Sequence, residues 1–259
     1  MAINIIAHRG ANRYAPQNTL PAFQKAFELE SDGLETDVHL TSDGVPVICH
    51  NYNIDGLSNG KGAIREMTLE QFKSYDFGSY FSDKFIDTPA PTLAELLELC
   101  KNYKFKILNL EIKPPKENDM AIVKKTIDMV KEYGLYDEML LSSFSANVLI
   151  EAKKLDRNCK TAYLYSPDKR DFYRVGRKIE KFAREIGACA LHPIDLLVSR
   201  QVVEKAHSEG VEVNVWTVNK KSSILKYADY GVDGIITDKP DFARQVLHDA
   251  GYLTNEEEQ

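Results

Sequence analysis

Short runs of β-branched and aliphatic residues alternate along this chain with stretches of helical periodicity, and that rhythm limits the fold more than any other feature. The runs are INIIAH (3–8), GLETDVHL (33–40), VPVICH (45–50), FKILNLEIK (105–113), EMLLSSF (138–144), KTAYLY (160–165), ACALHP (188–193), VEVNVWTV (211–218) and DGIITD (233–238). Strands separated by helical crossovers predict a parallel sheet with helices packed on it. Gly33, Gly134, Gly187, Gly210 and Gly231 each follow a helical stretch and stand before, or at the start of, the next strand. Helices commonly end there on a left-handed residue.

With VPVICH taken as an extension of the second strand, beyond a turn at Thr41-Ser42-Asp43-Gly44, the chain has eight βα units, enough to close a (β/α)8 TIM barrel. Residues 1–259 fit one such α/β domain. An open doubly wound sheet uses the same elements, but the G-x-G-x-x-G fingerprint of its commonest nucleotide-binding form is absent. Between residues 51 and 91 the rhythm breaks into turns at Gly56, Asn59, Gly60 and Gly62, a short helix capped by Thr68, and a group of aromatics. This stretch is expected to be a small insertion after strand 2, lying over the barrel mouth. A capping box at Thr92 and Glu95 starts the next helix. The acidic tail from Asn255 to Gln259 is expected to be disordered.

A formal net charge of −6 argues against a general nucleic-acid or anionic-membrane binder, because such proteins draw their affinity from a basic surface. An anionic ligand must then be held by a local device. The first residues carry no basic, apolar leader pattern, and no apolar run approaches membrane-spanning length. A cytoplasmic protein without stable membrane insertion is expected. Cys49, Cys100, Cys159 and Cys189 form no C-x-x-C pair and read as buried free thiols.

In a (β/α)8 barrel the reactive groups sit where strands finish. Strand one ends in His8-Arg9-Gly10, the second carries Glu35 and Asp37, and its extension ends in His50. Glu111 and Lys113 lie on the third, while the last two close on Trp216-Thr217 and Thr237-Asp238. Glu35 and Asp37, two residues apart, point to the same face of a strand, and Glu111 can add an oxygen from its neighbour. An all-carboxylate set with water suits one divalent cation, Mg2+ or Ca2+, rather than zinc. His8 and His50 beside such an ion make an acid and base pair, since imidazole titrates near neutrality. Arg9 and Lys113 supply the positive charge that an acidic protein otherwise lacks.

The same residues carry a resemblance. His8-Arg9-Gly10, Asn18-Thr19, Glu35-x-Asp37-V-x-x-T-x-D-G, His50, Glu111-I-K and Thr237-Asp238-K-P resemble, in order and over nearly the whole chain, the glycerophosphodiester phosphodiesterase family. The resemblance implies a TIM barrel, related to phosphatidylinositol-type phospholipases C, that hydrolyses glycerophosphodiesters to an alcohol and sn-glycerol 3-phosphate in lipid and glycerol metabolism. It implies Glu35, Asp37 and Glu111 as metal ligands, His8 and His50 as the catalytic pair, and Arg9 and Lys113 as phosphate contacts. Trp216 resembles an aromatic wall against the glycerol. It further implies that the neighbouring glycerol hydroxyl attacks first, giving a cyclic phosphate that water opens. Two positions depart from the family pattern: Gln17 and Asn51 stand where acidic residues are usual. Asn51 in place of Asp is expected to lower the His50 pKa.

The partner expected is a small glycerophosphodiester, and a homo-oligomer is compatible with the sequence. A phospholipase acting on intact lipids is disfavoured by the lack of a basic amphipathic segment. A non-catalytic binding barrel would have no use for an acid and base pair.

Overall fold

A computed structural model describes residues 3–116, 119–167 and 178–253; the predicted tail at 255–259 lies outside them. The chain runs β1 (Asn4–His8), α1 (Leu20–Glu28), β2 (Gly33–Leu40), β3 (Pro46–Ile48), α2 (Leu69–Lys73), α3 (Leu93–Cys100), β4 (Ile107–Ile112), α4 (Ala121–Glu132) and β5 (Met139–Ser143). It continues through α5 (Ala146–Leu155), β6 (Thr161–Tyr165), α6 (Ile179–Glu185), β7 (Ala190–Pro193), α7 (Arg200–Ser208), β8 (Glu212–Val215), α8 (Lys221–Tyr230), β9 (Gly234–Thr237) and α9 (Pro240–Asp249). Eight parallel strands follow the order β1-β9-β8-β7-β6-β5-β4-β2, and pairing of β1 with β2 closes the ring. The fold is the (β/α)8 barrel that the alternation predicts.

The stretch read as an extension of the second strand is different in detail. β3 pairs antiparallel with β2, Val38 opposite Ile48 and Leu40 opposite Pro46, so the turn at 41–44 reverses the chain and makes a hairpin. Gly44 at φ 77° and the side chain of Asp43, which accepts from Thr41 Oγ1 at 2.6 Å, set that reversal. The hairpin returns the chain toward the barrel mouth and delivers His50 there. Beyond it, Ile54, Ile64, Met67, Phe72 and Phe77 form a small apolar cluster with Val47, Cys49 and Ala90. Capping boxes at Thr68–Gln71 and Thr92–Glu95 start α2 and α3.

Two apolar layers surround the strands. Outside, aliphatic side chains such as Ile5, Leu34, Leu108, Leu141 and Val213 meet the helices, whose buried faces include Phe23, Leu97, Ile127 and Leu149. Inside, Leu140, Ala162 and Ala190 pack in one small cluster at the base of the ring. Strand side chains alternate, so register fixes which residues share the interior. β1 sets His8 opposite Glu35, and β4 sets Asn109 opposite Glu35 and Glu111 opposite Asp37. Cys49, Cys100 and Cys159 are buried free thiols, and Cys189 is half-buried.

Gly134, Gly187, Gly210 and Gly231 turn at positive φ, as the sequence pattern predicts. Gly33 does not. It is the first residue of β2, and the left-handed turn after α1 falls on Glu30 at φ 56°. What Gly33 provides is closeness, because a Cβ there would sit 2.5 Å from the Ile107 carbonyl oxygen of β4. Gly33→Ala should push β2 from β4 and cost about 1–3 kcal/mol, the usual penalty of overpacking. A thermal melt should show a lower midpoint; an unchanged one would show that these strands separate freely.

Candidate active site

A cleft of about 520 Å3 opens at the strand C-termini, with His8, Arg9, Glu35, His50, Glu111 and Lys113 on one side and Phe144, Leu164, Ile194, Trp216 and Ile236 on the other. Residues predicted from distant stretches of sequence therefore converge. Asp37 lies directly behind this lining, wholly buried. Oxygens of Glu35, Asp37 and Glu111 all come within 4.8 Å of one another.

Three buried carboxylates this close repel, and their surroundings decide how each is charged. Lys113 Nζ lies 2.5 Å from Glu111 Oε1 and 3.1 Å from Asp37 Oδ1. Arg9 Nε lies 3.7 Å from Asp37 Oδ2, while the Arg9 backbone N–H donates to Glu35 Oε2 at 3.0 Å. Arg9 can do both because its backbone turns at φ 55°. Asn18, also left-handed at φ 58°, donates through Nδ2 to Asp37 Oδ2 at 2.9 Å and accepts from Thr36 Oγ1 at 2.8 Å.

These contacts pull the three acids apart in pKa. Burial alone would raise Asp37, but Lys113, Arg9 and the Asn18 amide hold it well below the usual carboxylate range. Burial followed by repulsion from Asp37 raises Glu35 well above it. Glu111 is pushed up to about 7, by burial against the opposing pull of Lys113. Burial would lower Lys113, yet Glu111 and Asp37 more than offset it and keep the ammonium charged. The donor set is all oxygen, crowded and partly protonated for want of positive charge. It fits a hard divalent cation such as Mg2+ or Ca2+, which would be held by Glu35, Asp37 and Glu111.

The two histidines have different partners. His8 Nδ1 lies 2.7 Å from Asp238 Oδ1, and its Nε2 lies 4.0 Å from Glu35 Oε2. Asn12 Nδ2 also donates to Asp238 at 2.8 Å, and Asn219 Nδ2 at 2.5 Å. His50 Nδ1 instead meets a neutral amide, Asn51 Oδ1, at 2.7 Å. Burial lowers both rings. At His8 the bond to Asp238 opposes it. At His50 burial is followed by the attraction of Asp37 in the other direction, then by Arg9 and Lys113, and the net is a fall to about 4. Burial, not Asn51, is the leading cause of that fall, and the Asn51 bond works against it. Gln17, the other departure, accepts from Arg9 Nη1 at 2.6 Å and so anchors the guanidinium without neutralising it.

Trp216 stands on the opposite, apolar wall, its Nε1 donating to the His192 carbonyl at 2.7 Å and its ring edge-on to Phe144. Asp238, Asn12, Asn219 and Asn18 were not singled out for roles from sequence. Asp238 was visible as the polar end of the last strand, but no local pattern ties it to a histidine 230 residues earlier.

A parallel eight-stranded barrel with crowded acids, two imidazoles and two cationic side chains at the strand ends has the acid, base and charge-stabilising groups of a hydrolase acting on an anionic substrate. The profile of the glycerophosphoryl diester phosphodiesterase family matches residues 8–242. A glycerophosphodiester phosphodiesterase of Caldanaerobacter subterraneus is 34% identical over 95% of this chain and 98% of its own. An Oleispira antarctica phosphodiesterase, solved in complex with the product sn-glycerol-3-phosphate, superposes with a TM-score of 0.88 at 27% identity, covering 95% of this chain and 97% of that one. A glycerophosphodiester phosphodiesterase from Parabacteroides distasonis gives a TM-score of 0.80 at 26% identity over 96% and 98%. The chain belongs to the glycerophosphoryl diester phosphodiesterase family and is an enzyme of that activity. No helix among the described residues is long and apolar enough to cross a membrane.

The raised carboxyls have a consequence for pH. A group that binds protons more tightly folded than unfolded stabilises less as pH rises, so between the ordinary carboxylate range and about 7 the cation-free protein should lose stability through Glu35 and Glu111. A bound cation would favour their charged forms. The gain in melting temperature on adding Mg2+ or Ca2+ should therefore be larger at pH 8 than at pH 5.5; an equal gain would show that these carboxyls do not hold the ion.

Proposed function

We propose that this enzyme is metal-dependent and hydrolyses glycerophosphodiesters of the deacylated-phospholipid kind, such as glycerophosphocholine or glycerophosphoethanolamine, releasing the alcohol and sn-glycerol 3-phosphate. One observation carries the reading. Two buried carboxylates, Glu35 and Glu111, two histidines, Arg9 and Lys113 line one cleft at the strand ends, with the third carboxylate, Asp37, grouped with the other two. Glu35, Asp37 and Glu111 would hold a divalent cation, which would supply Lewis-acid stabilisation of the phosphate's charge. With that ion and one phosphodiester, the charges of the three acids, Arg9 and Lys113 sum to zero, and a protonated histidine adds the positive charge that the transition state requires.

Arg9 and Lys113 orient the phosphate, and Trp216 walls the glycerol. His50, whose neighbour is a neutral amide, is the base that takes a hydroxyl proton. His8, backed by the Asp238 carboxylate, is better suited to hold the proton that the leaving alcohol receives. The two rings exchange roles in the second step. The attacking group is the glycerol hydroxyl next to the phosphoester. Held in line, it gains an effective molarity on the order of 10⁵ M or more over free water. The cytoplasmic setting belongs to the same proposal, supported by four cysteines that are free thiols.

Chelation should abolish turnover, and Glu35→Ala, Asp37→Ala and Glu111→Ala should each do so in a folded protein. A variant keeping normal activity would take that residue out of the site. His8→Ala and His50→Ala should each lose about 100-fold or more in turnover while still binding substrate. Because Asp238 acts through His8, adding Asp238→Ala to His8→Ala should cost little more. Additive losses in steady-state kinetics would mean that Asp238 works elsewhere.

The nucleophile is tested separately. Choline release from glycerophosphocholine should far exceed that from its 2-deoxy analogue at saturating metal, and equal rates would mean that water attacks directly.

A further inference from the structure

Asn109 is a buried amide. It is 1% exposed, and neither Oδ1 nor Nδ2 has a hydrogen-bond partner among the described residues. Buried polar side chains are paired in the great majority of cases, and an unpaired one costs on the order of 1–3 kcal/mol. A leucine of nearly the same shape would fill this position more cheaply. The cost calls for a use.

Its position indicates which use. Asn109 lies on β4 two residues before Glu111, so the two share the inner face, and the register sets it opposite Glu35 on β2. It thus borders two of the three acids and lines the same cleft. Other inward polar groups, Ser142, His192 and Asn214, also carry unpaired atoms, but they do not line that cleft.

We infer that Asn109 is a positioning residue of the cation centre, its Oδ1 accepting a hydrogen bond from a water held on the ion. This rests on the proposed metal dependence. Hard divalent cations bound by few carboxylates retain water, and a cation-bound water donates both protons and needs acceptors. A neutral amide oxygen supplies one without adding a fourth negative charge to acids that already repel. Nδ2 is left as a donor.

The test separates a structural amide from a ligand-directed one by titrating Mg2+ and Ca2+ calorimetrically into the unmodified enzyme, Asn109→Leu and Asn109→Asp, with a melt of each in chelator. Removal of the acceptor in Asn109→Leu should weaken cation affinity by about 10–100-fold, the usual effect of losing an outer partner of a metal site. Its melting point in chelator should equal or exceed that of the unmodified enzyme, because an unpaired buried amide has gone. Asn109→Asp keeps the acceptor and should bind the cation at least as tightly as the unmodified enzyme. The inference is overturned if Asn109→Leu loses less than about 10-fold in affinity, or if Asn109→Asp loses as much as Asn109→Leu. Should the leucine variant fail to fold, Asn109→Ala takes its place with the same expected loss and the same overturning result. An unmodified enzyme that binds neither ion would instead remove the metal reading itself.

Discussion

Mutual repulsion among Glu35, Asp37 and Glu111 is the constraint around which the rest of this site is arranged. Parallel pairing of β2 and β4 forces their side chains onto one inner face, and no rotation of a strand can separate them without turning the core inside out. Two cations answer three anions: Lys113 lies between Glu111 and Asp37, while Arg9 meets Asp37 with its guanidinium and Glu35 with its backbone amide. Only Asp37 receives both cations and the Asn18 amide, and only Asp37 falls in pKa. Glu35 and Glu111 are left protonatable. The fold therefore holds a deficit of positive charge at one point, which a divalent cation held by these acids would fill.

Delivery of the other groups follows from the same barrel. His8 and Arg9 end β1, which pairs with both β2 and β9, so the first histidine stands between the acid cluster and Asp238. His50 arrives by another route, on the return arm of the β2–β3 hairpin, which is why its ring partner is a residue of its own loop. In the proposed mechanism this difference of delivery becomes a difference of role. A ring bonded to a carboxylate held by Asn12 and Asn219 is oriented from the barrel, whereas a ring bonded to the adjacent amide is oriented by its own loop.

The barrel was legible in the sequence because each crossover leaves a local signature: an aliphatic run, a helical period and a turn residue. The reactive residues at strand ends were legible for a related reason, since a charged group closing an apolar run is conspicuous on its own. What stayed hidden depends on contacts between distant positions. VPVICH has the composition of a strand in either direction, and only its pairing with β2 makes it a hairpin arm. Gly33 looks like a helix-ending glycine, but its reason for being there is the Ile107 carbonyl on the next strand. Asp238 and Asn18 are polar residues in ordinary motifs until folding sets them against His8 and Asp37.

Asn18 and Arg9 share a further feature that connects local backbone to chemistry. Both are non-glycine residues in the left-handed region, and the Asn18 amide N–H donates to the Arg9 carbonyl at 3.0 Å. Such conformations cost free energy, on the order of 1 kcal/mol or more each, and persist where surrounding contacts over-determine them. Here the compensation is the buried network itself, because the turned backbone at Arg9 aims an N–H at Glu35 and the turned backbone at Asn18 aims its side chain at Asp37. Glycine at either position would relax the backbone but remove the side chain that the acids require. Strain, charge and hydrogen bonding at this end of the barrel are thus one coupled quantity, and binding a cation that relieves the repulsion should tighten all three together.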